Sequence, residues 1–189
     1  MSTLLENSAI RQGLEHLLAN DPVFKTLDIK APELDREGHP PGFAGLVRIV
    51  TGQQVSTRAA EAIWARACDP FGHPPGAEEW LRATAGKDDP KYGLSAAKIR
   101  ALNAAARAVQ EGSLDFDTLM AAPREDVRRA VTALPGFGEW SAEMFMLFGL
   151  RRSDIWPAAD LGIRSGVQKY AALPERPGIE RTRELGQAC

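Results

Sequence analysis

The sequence has little that could build a redox, disulfide or metal centre. Its 189 residues include 2 cysteines. These are Cys68 and Cys189, far apart and outside any C-x-x-C pair, so neither a disulfide framework nor a four-cysteine zinc or iron–sulfur site can be assembled. Both read as inert thiols. The 3 histidines, His16, His39 and His73, are scattered. The last two sit in two copies of Gly-His-Pro-Pro-Gly, starting at Gly38 and Gly72, which read as surface loops. A charge excess of one sign is also missing, since 23 basic residues stand against 25 acidic ones for a net charge of -2. That excludes a broad basic field, so any contact with a polyanion has to be local. No apolar run reaches the roughly 18 residues of a membrane span, and the stretch from Met1 to Leu17 lacks the basic-then-apolar order of a secretion signal. The chain reads as cytosolic, with no membrane partner. Alternating strand patterns, low-complexity tracts and linker-like shifts in composition are absent as well.

What is present is helical periodicity. With 44% hydrophobic residues the chain can bury a core of ordinary size. Apolar residues recur at helix spacing in Phe43, Leu46, Val47, Val50, then Ala60, Ile63, Trp64, Ala67, and again in Ile99, Leu102, Ala106, Val109. Breaks fall at Pro41-Gly42, Pro70 to Gly76, Asp89-Pro90, Gly112-Ser113, Pro123, Pro135 to Gly138 and Pro157. This spacing predicts about nine to eleven short helices. Ser56, Ser95 and Asp160 each precede a helical pattern and suit an N-cap. The expected fold is all-α, a multi-helix, two-lobed bundle forming one domain over residues 1–189.

The stretch from Arg124 to Arg164 carries the chemistry. Val127, Ala130, Val131 and Leu134 stripe one helix, and Ser141, Met144, Phe145 and Phe148 stripe a second, joined only by Pro135-Gly136-Phe137-Gly138. This is a helix-hairpin-helix over residues 124–149. Its glycines permit a tight turn, and the second helix directs its unpaired first-turn N–H groups outward, ready for a phosphate. Taken alone, such a hairpin also serves merely to join two packed helices. Likewise Asp160, in the loop at 155–164, serves as a helix cap, as a functional carboxylate, or as both.

Leu-Pro-Gly-Phe-Gly-Glu-Trp-Ser-Ala-Glu-Met-Phe from Leu134, followed by Pro-Ala-Ala-Asp-Leu-Gly-Ile-Arg from Pro157, resembles the helix-hairpin-helix DNA glycosylase superfamily, most closely its 3-methyladenine DNA glycosylase II branch. The stretch from Leu46 to Arg66 is similar to that branch's helix, G-Q-Q-x-S turn and helix, and Gly93 to Val109 is similar to its G-x-S-x-x-K helix. Together these blocks cover most of residues 43–170. Three ordered blocks are far more specific than any one.

The resemblance implies a monofunctional glycosylase of base excision repair. It would hydrolyse the N-glycosidic bond of alkylated purines such as 3-methyladenine or 7-methylguanine, acting as a monomer on double-stranded DNA that carries a damaged base. It further implies a bacterial-type protein associated with the nucleoid through DNA. Asp160 is then the catalytic carboxylate. Trp140 stands where lyase-competent members carry a lysine, so water is the expected nucleophile, and its indole face suits a cationic base. Met144 takes the place of an aromatic residue of some relatives, and Trp156 either lines the base pocket or belongs to the core. Gln54 is expected to enter the gap left by the extruded base, flanked by Gln53 and Ser56. Phosphate contacts fall to the N–H groups of Gly136 and Gly138, the Ser141 hydroxyl and Arg164, with Lys98, Arg100, Arg151 and Arg152 as further candidates. No cofactor is expected for catalysis. A structural sodium or potassium ion would rest on the carbonyls of Thr132, Leu134 and Phe137.

Three features depart from the family pattern. The aromatic-rich segment that follows the last helix in relatives has no counterpart before Cys189, so either it lies beyond the sequence given or the pocket is more open. Nothing corresponds to the extra N-terminal β domain of larger members, and no cysteine cluster follows the catalytic loop. Two alternatives stay open: a non-catalytic DNA-binding module, and a glycosylase for hypoxanthine or ethenoadenine.

Overall fold

Helical periodicity resolves into ten α-helices among the described residues, with no strand. The computed structural model describes residues 8–26, 39–85, 92–152 and 155–187. The expected break at Asp89-Pro90, the first loop glycine Gly38 and Cys189 lie outside them. No helix among the described residues is long and apolar enough to cross a membrane. The chain divides into two compact units, one spanning residues 39–150 and the other formed by residues 1–38 with 151–189.

The larger unit is built around α2 (Phe43–Gly52), which buries Phe43, Leu46, Val47, Ile49 and Val50. A helix apolar on so many sides must be covered by several partners. Those are α3 (Thr57–Cys68), α5 (Ala96–Gln110), α8 (Glu139–Met144) and the turn that follows α8. Ser56 and Ser95 cap α3 and α5, their hydroxyls accepting from the N–H of Ala59 and Lys98, each at 3.3 Å. On α4 (Ala77–Thr84) Trp80 is fully buried, and its indole N–H donates to Asn103 on α5 at 2.8 Å. Withdrawing such a side chain from water contributes on the order of 2 kcal/mol, and the paired N–H avoids the cost of an unsatisfied donor.

The unit continues through α6 (Phe116–Ala121) and α7 (Arg124–Thr132), which buries Val127 and Val131. Helix α8 passes into a π-helical turn over Phe145–Gly149, where the Leu150 N–H donates to the Phe145 carbonyl at 2.8 Å. The apolar stripe of the second hairpin helix is therefore real, but its last turn is wider than an α-helix. The Phe148 carbonyl in this turn accepts the His39 N–H at 3.2 Å, and their rings stack with centroids 5.0 Å apart.

The smaller unit holds α1 (Ser8–Asn20), α9 (Leu161–Tyr170) and α10 (Ile179–Gln187). The Tyr170 hydroxyl donates to the Asp21 carboxylate at 2.6 Å, joining the end of α9 to the turn after α1. The Arg164 Nε donates to the Pro177 carbonyl at 2.8 Å, tying α9 to the segment that leads into α10.

Candidate functional site

The hairpin starts where α7 runs out. The Leu134 N–H reaches back to the Val131 carbonyl and the Phe137 N–H to the Leu134 carbonyl, both at 3.1 Å. Between them Gly136 takes φ +82°, a left-handed conformation that a side chain strains. A Cβ there would sit 2.7 Å from the Ala101 methyl of α5, so the turn is pressed against that helix. Leu134 and Phe137 are buried and anchor the two sides of the turn. Gly138 is extended, with open space around its α-carbon, so the fold itself does not demand glycine there. The first N–H groups of α8 have no intrahelical acceptor.

The α2–α3 turn lies against this hairpin. The Gln53 side-chain amide donates to the Gly136 carbonyl at 3.1 Å and meets the Ser141 Oγ at 3.2 Å. The Lys98 ammonium donates to the Gln53 backbone carbonyl at 3.0 Å. Burial holds Lys98 below the ordinary lysine pKa. Gln54, next along, is exposed and has φ +58°. Of the three turn residues expected to meet DNA, then, Gln54 points to solvent, Gln53 is turned into the hairpin and Ser56 caps α3. The Ser141 hydroxyl, expected to touch phosphate, is 2% exposed and engaged with Gln53. Trp140 is half-buried with its ring edge near Gly52, whereas Met144 is buried. Lys98, Gln53 and Ser141 thus form an internal network rather than an open phosphate-binding row.

In the smaller unit the catalytic-loop candidate is a tight double turn. The Ala158 N–H donates to the Trp156 carbonyl and the Asp160 N–H to the Pro157 carbonyl, both at 2.9 Å. The Asp160 Oδ1 then accepts from the N–H groups of Gly162 at 2.8 Å and Ile163 at 3.0 Å, capping α9. A Cβ at residue 162 would lie 3.0 Å from that carboxylate oxygen, so the glycine leaves it room. Trp156 is 36% exposed, and its indole N–H donates to the Thr182 carbonyl of α10 at 3.0 Å. Its ring lies against Gly186, where a Cβ would fall 2.3 Å from two ring atoms. The indole is a half-open plate fixed by its edge. The Arg164 Nε is occupied by Pro177, which commits part of that guanidinium to the fold.

The Thr132 carbonyl lies at the C-terminal, partially negative end of α7, and Leu134 and Phe137 follow in the hairpin turn beyond it. Leu134 spends one lone pair on the Phe137 N–H and keeps the other. Neutral oxygen donors of this kind fit a hard monovalent cation and no soft metal. Cys68 is half-buried, and desolvation pushes its thiol pKa up, in keeping with an unreactive side chain.

Sequence reasoning found the caps and the hairpin but missed the Gln53 clamp, the Lys98 tie and the seat of Trp156 on α10. Gln53 and Gly136 lie 83 positions apart, and no local pattern signals such a bond. The one available hint was the Gly and Thr pair at Thr182 and Gly186, small residues one turn apart on a helix.

A family model for HhH-GPD superfamily base excision DNA repair proteins matches residues 47–189. The DNA-3-methyladenine glycosylase of Saccharomyces cerevisiae is 31% identical over 88% of this chain and 61% of its own. DNA-3-methyladenine glycosylase 1 of Schizosaccharomyces pombe is 35% identical over 71% of this chain and 60% of its own. The chain therefore spans about three fifths of the length of these curated relatives. Among solved structures, the 3-methyladenine DNA glycosylase of Schizosaccharomyces pombe in complex with abasic DNA has a TM-score of 0.79 at 28% identity, covering 92% of this chain and 86% of that one. With three quarters of its residues inside the family model, the chain belongs to the HhH-GPD superfamily of base excision DNA repair proteins.

Proposed function

We propose that the protein is a monofunctional DNA glycosylase of the 3-methyladenine II type, hydrolysing the N-glycosidic bond of alkylated purines as a monomer on duplex DNA in the cytoplasm. The observation that carries this reading is Asp160, a carboxylate held by two backbone N–H groups at the head of α9 in a member of this superfamily. The relatives named for 3-methyladenine removal support the choice of lesion.

The chemistry asks little beyond a fixed negative charge. An alkylated purine carries a positive charge while attached and leaves as a neutral base, so departure needs no added acid. As the bond to the base breaks, positive charge grows on the sugar, and an ionised Asp160 stabilises it. Water then bonds to the sugar carbon and yields its proton to the carboxylate. Trp140 offers an indole in place of an amine, so no Schiff base forms and the DNA strand stays intact. Its face attracts a cationic purine more than a neutral one. Trp156 offers a second indole surface, and Met144 acts through packing. The exposed Gln54 fills the space of the extruded base. The backbone N–H groups at Gly136 and Gly138 grip a phosphate, with Ser141 and Gln53 shaping that turn from behind. A sodium or potassium ion on the Thr132, Leu134 and Phe137 carbonyls would stiffen the hairpin and add positive charge next to the phosphate.

The test is release of free methylated bases from alkylated duplex DNA, followed by chromatography without added metal, beside Asp160→Asn. The proposal expects release by the native protein and a loss of at least about a hundredfold in the variant, with DNA binding kept. Tight binding without release by the native protein would favour a non-catalytic DNA-binding module, in which Asp160 is a cap alone. Preferential release of hypoxanthine or ethenoadenine would move the lesion class.

A further inference from the structure

Gln53 and Gln54 are neighbours with opposite fates. Gln54 stands in solvent on a left-handed backbone, a conformation that a non-glycine residue keeps only when its surroundings hold it there. Immediately before it, the Gln53 side chain bridges the Gly136 carbonyl and the Ser141 Oγ while its own carbonyl accepts from Lys98. Lys98 is an unusual choice at that place. It sits in the first turn of α5, where the helix dipole disfavours a cation, and partial burial disfavours it further. One turn on, the same helix carries Ala101, against which Gly136 is pressed. Helix α5 therefore supports both the Gln54 turn and the hairpin with adjacent residues of one face.

We propose that Gln53 and Lys98 form a strut that locks the Gln54 turn to the hairpin, so that the residue entering the DNA stack and the element gripping the backbone act as one rigid body. Both are positioning residues, and the idea rests on the glycosylase reading above. The strut gives Lys98 a role different from binding phosphate, and the two roles separate experimentally. If Lys98 bound phosphate directly, Lys98→Met would weaken binding to all DNA and make its salt dependence shallower by about one unit of log–log slope. Loss of the strut leaves binding nearly intact and disturbs insertion.

The full chain and its K98M, K98R and Q53M variants would be titrated onto duplex DNA holding an abasic-site analogue beside 2-aminopurine. Anisotropy reports binding and 2-aminopurine fluorescence reports insertion into the stack. The strut predicts that K98M and Q53M bind within about threefold of native, with an unchanged salt slope, yet show an insertion signal about tenfold smaller, the scale of one missing hydrogen bond in a partly buried setting. K98R, which keeps a donor, restores most of the signal. Full insertion signals in folded K98M and Q53M would overturn the proposal, as would a shallower salt slope in K98M. If the native chain neither binds this duplex nor releases methylated bases, the glycosylase reading itself falls and the strut's role falls with it.

Discussion

Asp160 caps α9, and under the proposed function the same carboxylate also faces developing positive charge; the two roles can be separated. Asparagine is as good an N-cap as aspartate but carries no charge. Asp160→Asn should therefore melt near the native temperature while inactive, whereas Asp160→Ala should be both inactive and less stable by about 1 kcal/mol, read by thermal or urea unfolding. Equal destabilisation by both would mean that the charge, not the cap, holds this loop. The cap was legible in the sequence because it is local, a short polar residue ahead of a helical pattern. So were Ser56 and Ser95. The inward turn of Gln53 was not, since its partners are distant in the chain and glutamine is an ordinary surface residue.

Asp21 provides a pH-dependent test at the same scale. The Tyr170 hydroxyl, followed by the Phe24 and Val23 N–H groups, holds its carboxyl below the usual aspartate value. A folded pKa below the unfolded one means that the unfolded state binds more protons in between. The contribution is then present above the unfolded value and lost as pH falls through the folded value. The gap in melting temperature between the native protein and Asp21→Asn should be widest near neutrality and should close below about pH 4. A gap that stays constant down to about pH 2 would contradict the bond.

Among elements, α10 does more than close the chain's last described turn. It seats Trp156 through the Thr182 carbonyl and a surface left bare at Gly186. Gly186→Ala would drive a methyl into the indole ring, so we expect destabilisation of about 1–3 kcal/mol and a change in near-ultraviolet circular dichroism from the displaced tryptophan. An unchanged spectrum would place the indole elsewhere. The hairpin itself was legible, because two apolar stripes joined by Pro-Gly-Phe-Gly leave room for little else. The π-turn over Phe145–Gly149 was not, because it ends the helix and leaves no later turn in which a shifted stripe could show.

For the whole molecule, the all-α class followed from periodicity and the two-lobed expectation agrees with the two compact units. The division at residues 38–39 falls within the first Gly-His-Pro-Pro-Gly run, whereas the one at 150–151 has no compositional mark. With a net charge of -2, the proposed attraction for DNA has to come from a few backbone N–H groups and basic side chains. Affinity for undamaged duplex should therefore fall with salt with a log–log slope of about -2 to -4, near -0.9 per phosphate neutralised. A slope of about -8 would contradict this and point to a broad basic surface.

The central claim is that Asp160 supports hydrolytic release of an alkylated purine. The most direct measurement is a single-turnover reaction on a duplex bearing one 7-methylguanine, with native protein and Asp160→Asn compared, and the strand resolved before and after alkali. The account predicts a native product cut only after alkali and almost none from the variant. Release that is equal in the two proteins, or a strand cut without alkali, would contradict it.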